Sequence, residues 1–148
     1  MKVLFTTIIM IIMISCGQQA ARNNNLALNP EVEKLALPSQ RVAEDWPAYR
    51  NLENNLKIIC STNAFNATSF RKSMMRNVEG MKKDIPNPFN TKGVKTSISG
   101  LERQVSSFYN EVQDDELDKR IVEQHVEEIM NAFAGLNHTL NYTLAQRD

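Results

Sequence analysis

The sequence predicts an all-α protein: an up-down-up-down four-helix bundle behind a signal peptide and a disordered polar leader. Three observations carry that prediction. Apolar residues recur at steps of three and four in four successive stretches, which is the period of one helix face. No stretch sustains the period-two alternation of a half-buried strand. The connections between stripes are short, which makes consecutive helices antiparallel neighbours.

The chain opens with Met1 and Lys2, a short positive start. Val3 to Ile14 is apolar apart from Thr6 and Thr7, and small residues Ser15, Cys16 and Gly17 close the run. This is the three-part layout of a secretory signal peptide, and it is well short of the roughly 20 apolar residues that span a bilayer. The quartet Met13-Ile14-Ser15-Cys16 resembles the lipobox of bacterial lipoproteins, with Met13 standing where that family prefers leucine or another aliphatic. The resemblance covers the signal region alone. It implies that residues 1–15 are removed and that Cys16 carries lipid. The alternative is cleavage after Gly17, with Ser15 and Gly17 at the two specificity positions; the signal is then 1–17 and Cys16 leaves with it.

Residues 16–38 read as a flexible leader or tether containing one short helical turn. Gln18 to Asn29 is polar and unpatterned, a composition that cannot bury enough apolar surface to order itself. Asn29-Pro30 is a helix-start signal, a capping Asn with Pro at the first helical position. Pro38 is expected to stop what begins there.

Residues 39–148 form the expected bundle domain. Its first stripe is Val42, Trp46, Tyr49, Leu52, Leu56 and Ile59. Pro47 is tolerated only near a helix start, so the helix should begin close to Asp45, which can cap it. The Ser, Thr and Asn content of Ser61 to Thr68 predicts a break. Phe70, Met74, Val78, Met81 and Ile85 form the second stripe, ended by Pro86 and Pro88. The third, Val94, Ile98, Leu101, Val105, Phe108 and Val112, alternates four and three, with Gly100 inside it. Asp114 and Asp115 mark a turn and offer caps. The last stripe is Val122, Val126, Ile129, Phe133, Leu136, Leu140 and Leu144, and Gly135 within it is expected to bend the helix rather than end it.

Composition removes several classes of function. The 148 residues carry 17 basic and 17 acidic side chains, so no broad basic field recruits nucleic acid through counterion release. Two cysteines, Cys16 and Cys60, are too few for a disulfide scaffold. Cys60 is expected as a buried thiol in a helix, or else as a link to another chain.

Signatures of catalysis and cofactors are sparse, and no catalytic, cofactor-binding or metal site is assigned. Cys-x-x-Cys-His, a glycine-rich phosphate loop and Gly-x-Ser-x-Gly are all absent from the sequence. Bundles of this size include haem proteins. However, His125 and His138 lie thirteen residues apart, on separated faces of one helix. His125 and Glu128 share a face, yet they lack the second histidine motif that carboxylate-bridged bundles use. Solvated helix faces account for the basic second helix (Arg71, Lys72, Arg76, Lys82, Lys83) and for the acidic cluster Glu111, Asp114, Asp115, Glu116 and Asp118.

Partner-contact candidates are two. Met75 lies beside its stripe, unlike Met74 and Met81. Trp46 heads the first stripe, either as a core anchor or, if exposed, as a recognition residue. Asn66, Asn137 and Asn141 head Asn-x-Thr acceptors, which bear glycans only in a eukaryotic host. The expected function is a non-enzymatic envelope lipoprotein, membrane-held through lipid at Cys16 and binding a protein partner. The alternative is a freely secreted helical effector or cytokine-like ligand, and the remote one a small metal- or haem-binding bundle.

Overall fold

The computed structural model describes residues 25–28, 32–112 and 117–147. Within them lie six α-helices: α1 (Leu37–Glu44), α2 (Pro47–Ile59), α3 (Ala64–Ser69), α4 (Arg71–Lys83), α5 (Lys92–Glu111) and α6 (Lys119–Ala145), with a 3-10 turn at Asn87–Phe89. The described residues contain no strand beyond an isolated antiparallel bridge between Asn25 and Asn63. The all-α expectation therefore holds. The expected signal peptide, Cys16, the Asn29-Pro30 start and the Asp114-Asp115 turn lie outside the described residues.

Helix boundaries follow local chemistry. Pro38 does not stop a helix; it sits in the first turn of α1, where a missing N–H costs nothing. Asp45 likewise ends α1 instead of capping α2, whose N-cap is Trp46 with Pro47 in its first turn. The expected break at Ser61–Thr68 is narrower than predicted. Asn63 accepts a hydrogen bond from the Asn66 backbone N–H at 2.9 Å and starts the short helix α3. Asparagine-rich sequence reads as loop or as cap, and here the capping role prevails. Thr91 and Asp118 cap α5 and α6 in the same manner. α6 runs through Gly135 without ending.

Each stripe meets its neighbour. α2 packs on α4, α4 on α5 and α5 on α6, while α1, α3 and the 3-10 turn all lie against α6. Among the described residues, Leu52, Ile59, Met74, Met81, Ile98, Leu101, Ile129, Leu136 and Leu140 are fully buried. A column of rings crosses this core. Trp46 stacks on Tyr49 at 5.7 Å between centroids, Tyr49 on Phe133 at 5.2 Å, and Phe89 closes on Trp46 at 5.9 Å. Trp46 is 1% exposed. It is therefore the core anchor, and the recognition role offered for it is corrected by burial. Its indole N–H has no hydrogen-bond partner among the described residues.

The expected leader also needs correction. Residues 25–28 and 32–36 are not helical, yet they are docked as an extended strap. Leu26 is buried, and Leu28, Val32 and Leu35 pack on the core. The Leu26 N–H donates to the Thr62 carbonyl at 2.8 Å, and the Ala27 N–H to Glu123 Oε1 at 2.7 Å. Four apolar residues in an otherwise polar stretch supply enough burial to hold it, each contributing about 1.5 to 3 kcal/mol when fully covered.

Candidate functional site

The strap's second half, 32–35, borders a cavity of about 870 Å³ between α1, α2 and α6. Its floor is apolar: Leu56, Phe133, Met130 and the ring of Tyr49. Glu33, Lys34, Glu44, Asp45, Arg50, Glu53 and Lys57 also line it. An apolar floor with a few polar groups is the usual composition of a binding site.

Asparagines of α6 hold the strap beside this cavity. Asn137 is 2% exposed; its Oδ1 accepts from the Tyr49 hydroxyl at 2.8 Å and its Nδ2 donates to the Glu33 carbonyl at 2.6 Å. One turn on, Asn141 Oδ1 accepts from the Ala36 N–H at 2.8 Å, and its Nδ2 donates to the Lys34 carbonyl at 3.0 Å. His138, exposed between them, meets the Glu33 carboxylate at 3.2 Å. Both asparagines spend their amide nitrogens on the backbone, and Asn137 is buried. Burial leaves the Asn137 amide no room for a glycan in this fold, whereas Asn141 is half-buried. Asn66 is exposed in α3, and of the three acceptors it is the exposed one.

The reactive groups on the cavity wall are held protonated. Burial raises the Tyr49 phenol far above its usual range, and Glu53 adds to that rise, while the bond to Asn137 opposes it. Cys60 is a free, half-buried thiol at the end of α2, its Sγ 3.3 Å from Met130 Sδ. Burial pushes its pKa up as well. A nucleophilic thiol needs the opposite shift. Neither histidine lies on this wall.

The histidines stay apart. His138 serves the strap, while His125 is buried at the other end of α6. Its Nε2 lies 3.6 Å from Glu111 and its Nδ1 3.8 Å from Glu128. Those two carboxylates face different ring nitrogens, which does not converge on one ion, and the described residues hold no cluster suited to a metal. Met75 is half-buried against the core, leaving it a partial surface. The cavity and the strap clamp were missed in the sequence. The available signal was Asn137 and Asn141 following Val126, Met130 and Phe133 at helical spacing, polar residues in an apolar row. Compared with family models, curated proteins and solved structures, the chain matches none.

Proposed function

We propose that this chain is a non-catalytic extracytoplasmic helical-bundle protein, anchored through lipid at Cys16 and binding a protein partner. We further infer that α2, α4, α5 and α6 make an up-down-up-down bundle. The contact registers support this. Asn55 meets Ser73 while Gly80 abuts Ala48; Lys82 meets Glu102 while Arg71 reaches Val112. Ser97 meets Thr139 while Glu111 meets His125, and Tyr49 meets Asn137 while Cys60 meets Met130. In each pair rising numbers oppose falling ones.

The observation that carries the binding half is the strap-bordered cavity, whose tyrosine and cysteine are kept neutral by burial and so suit packing rather than attack. The anchoring half rests on the sequence Met13-Ile14-Ser15-Cys16 behind its apolar run. Among the described residues no helix is long and apolar enough to cross a membrane, so an anchor of this kind would act from outside those helices. Ser15 and Gly17 favour a second reading, cleavage after Gly17 and release as a free effector.

Intact mass of the exported protein tests the anchor. A diacylglyceryl adduct on Cys16 is expected, with Cys16→Ser misprocessed or released from membranes. A mature N-terminus at Gln18, unchanged by Cys16→Ser, would overturn it in favour of the free effector. Binding is tested with a photo-crosslinking residue at Glu53, on the cavity wall, and at Tyr142, outside it. A discrete adduct from position 53 alone is expected; equal labelling from both refutes the cavity as the contact.

A further inference from the structure

The root of the proposed tether is fixed on the molecule. The Asn25–Asn63 bridge and the bond from the Leu26 N–H to the Thr62 carbonyl hold the strap's start at the corner between α2 and α3. That corner carries unexplained apolar exposure. Phe65, two residues beyond Asn63, is 70% exposed, and Ile58 in the last turn of α2 is 50% exposed. Phe65 also shares a shallow depression of about 440 Å³ with Tyr109, Thr68, Ser69, Arg71 and Lys72. Tyr109 is 45% exposed, and the Arg71 guanidinium lies 6.0 Å from the centre of its ring. Apolar and aromatic side chains beside cations are the composition of surfaces that rest at the headgroup and acyl boundary.

We propose that this corner, with Phe65 at its tip and Ile58, Tyr109 and Lys72 around it, seats on the lipid bilayer. The proposal rests on the anchoring reading above. Chain length selects the occupant. The nine peptide steps from Cys16 to Asn25 reach at most about 30 Å when fully extended. α6, with 27 residues, is about 40 Å long. A molecule standing with this corner away from the membrane would need a tether as long as the bundle, and the tether is too short. The corner is therefore kept near the bilayer, and Phe65 is the side chain placed to enter it. A protein partner at the same patch would have to share that confined space.

The test uses the processed, membrane-extracted chain reconstituted into vesicles of phosphatidylethanolamine and phosphatidylglycerol with brominated acyl chains. Two variants each add one indole at an exposed position, Phe65→Trp and Tyr142→Trp. Tyr142 is 60% exposed near the opposite end of α6. Trp46, buried in both, supplies a constant background. The indole at position 65 should lose on the order of half its emission, because interfacial side chains sit about 5–10 Å into the boundary; the indole at 142 should lose almost none. Intact mass of the same samples reports the lipid on Cys16 separately. Lipidated protein with equal or absent quenching at the two positions overturns the seating and leaves the anchor standing, which assigns the patch to a protein partner. Protein without lipid on Cys16 overturns the anchor and the seating with it.

Discussion

Replacing Asn137 with alanine severs a side chain of α6 that joins α2 and the strap at one point. The Tyr49 hydroxyl, in a residue 2% exposed, loses the acceptor it uses at 2.8 Å. Leaving a buried donor unpaired costs about 1 to 3 kcal/mol. The Glu33 carbonyl loses its 2.6 Å donor as well; being part-buried, it recovers water, so this bond adds about 0.5 to 1.5 kcal/mol. Asn137→Ala should therefore destabilise by about 1.5 to 4.5 kcal/mol in urea, with the midpoint lowered and the slope unchanged. Asn141→Ala is the control. Its partners, the Ala36 N–H and the Lys34 carbonyl, are exposed, and the loss should stay near 1 kcal/mol. Both variants should speed tryptic cleavage at Lys34, since both release the strap. A cost below about 0.5 kcal/mol for Asn137→Ala, or one smaller than that of Asn141→Ala, would refute the clamp.

Trp46→Ala should cost about 3 to 5 kcal/mol, the range for a buried aromatic removed from between two other rings; thermal melting would show it, and a loss under 1 kcal/mol would contradict the ring column. Gly135, exposed with open space where a Cβ would go, should tolerate alanine and gain about 0.5 to 1 kcal/mol of stability from helix propensity. At Gly80 the added Cβ would lie 3.1 Å from the Ala48 Cβ, so Gly80→Ala should gain less or lose, and equal midpoints for the two variants would refute that close approach. Alkaline stability should follow Cys60 and Tyr49, whose folded-state pKa values are raised by burial above the ordinary 9.0 and 10.0. Their neutral forms are favoured by folding, so the contribution is full below those values and is lost as pH rises past 9 and then 10 toward the folded values. The buried Tyr49 steepens the decline by at most about 1.4 kcal/mol per pH unit, and the half-buried Cys60, screened by solvent, by less. Urea midpoints at pH 7, 9 and 10.5 should fall slightly over the first interval and more over the last, where the fall is less steep in Tyr49→Phe than in the parent; parallel profiles would be the contrary result.

Helix existence was legible in the sequence because burial has a period. Met74, Val78 and Met81, and Val94, Ile98, Leu101, Val105 and Phe108, are all fully buried at the spacing that marked them. Boundaries were less legible, since Pro38 and Asn63 carry chemistry that serves equally to stop a helix and to start one. The strap was hidden for a different reason. Leu28, Val32 and Leu35 stand at the four-and-three spacing of a helix face, yet 32–36 are not helical, and their burial depends on a surface supplied by residues about a hundred positions later. Local pattern contains no information about such a surface. The cavity is legible only once the strap is in place, although Asn137 and Asn141 in an apolar row were a sign of buried hydrogen bonding.

The dependence of the strap on α6 reaches into how the chain acquires its structure. α6 supplies the partners of the strap at separations of 96 and 105 residues, and those of Tyr49 and Cys60 at 88 and 70. A nascent chain that has not yet produced its last helix can make the strap's contacts at Thr62 and Asn63 but lacks the α6 residues that hold the rest of it, and the apolar face of α5 that meets α6 remains open. Closing such distant contacts delays folding until the C-terminus is available. For the exported chain proposed above, that delay would leave the strap and the α6-facing side of α5 open during passage through a narrow membrane channel.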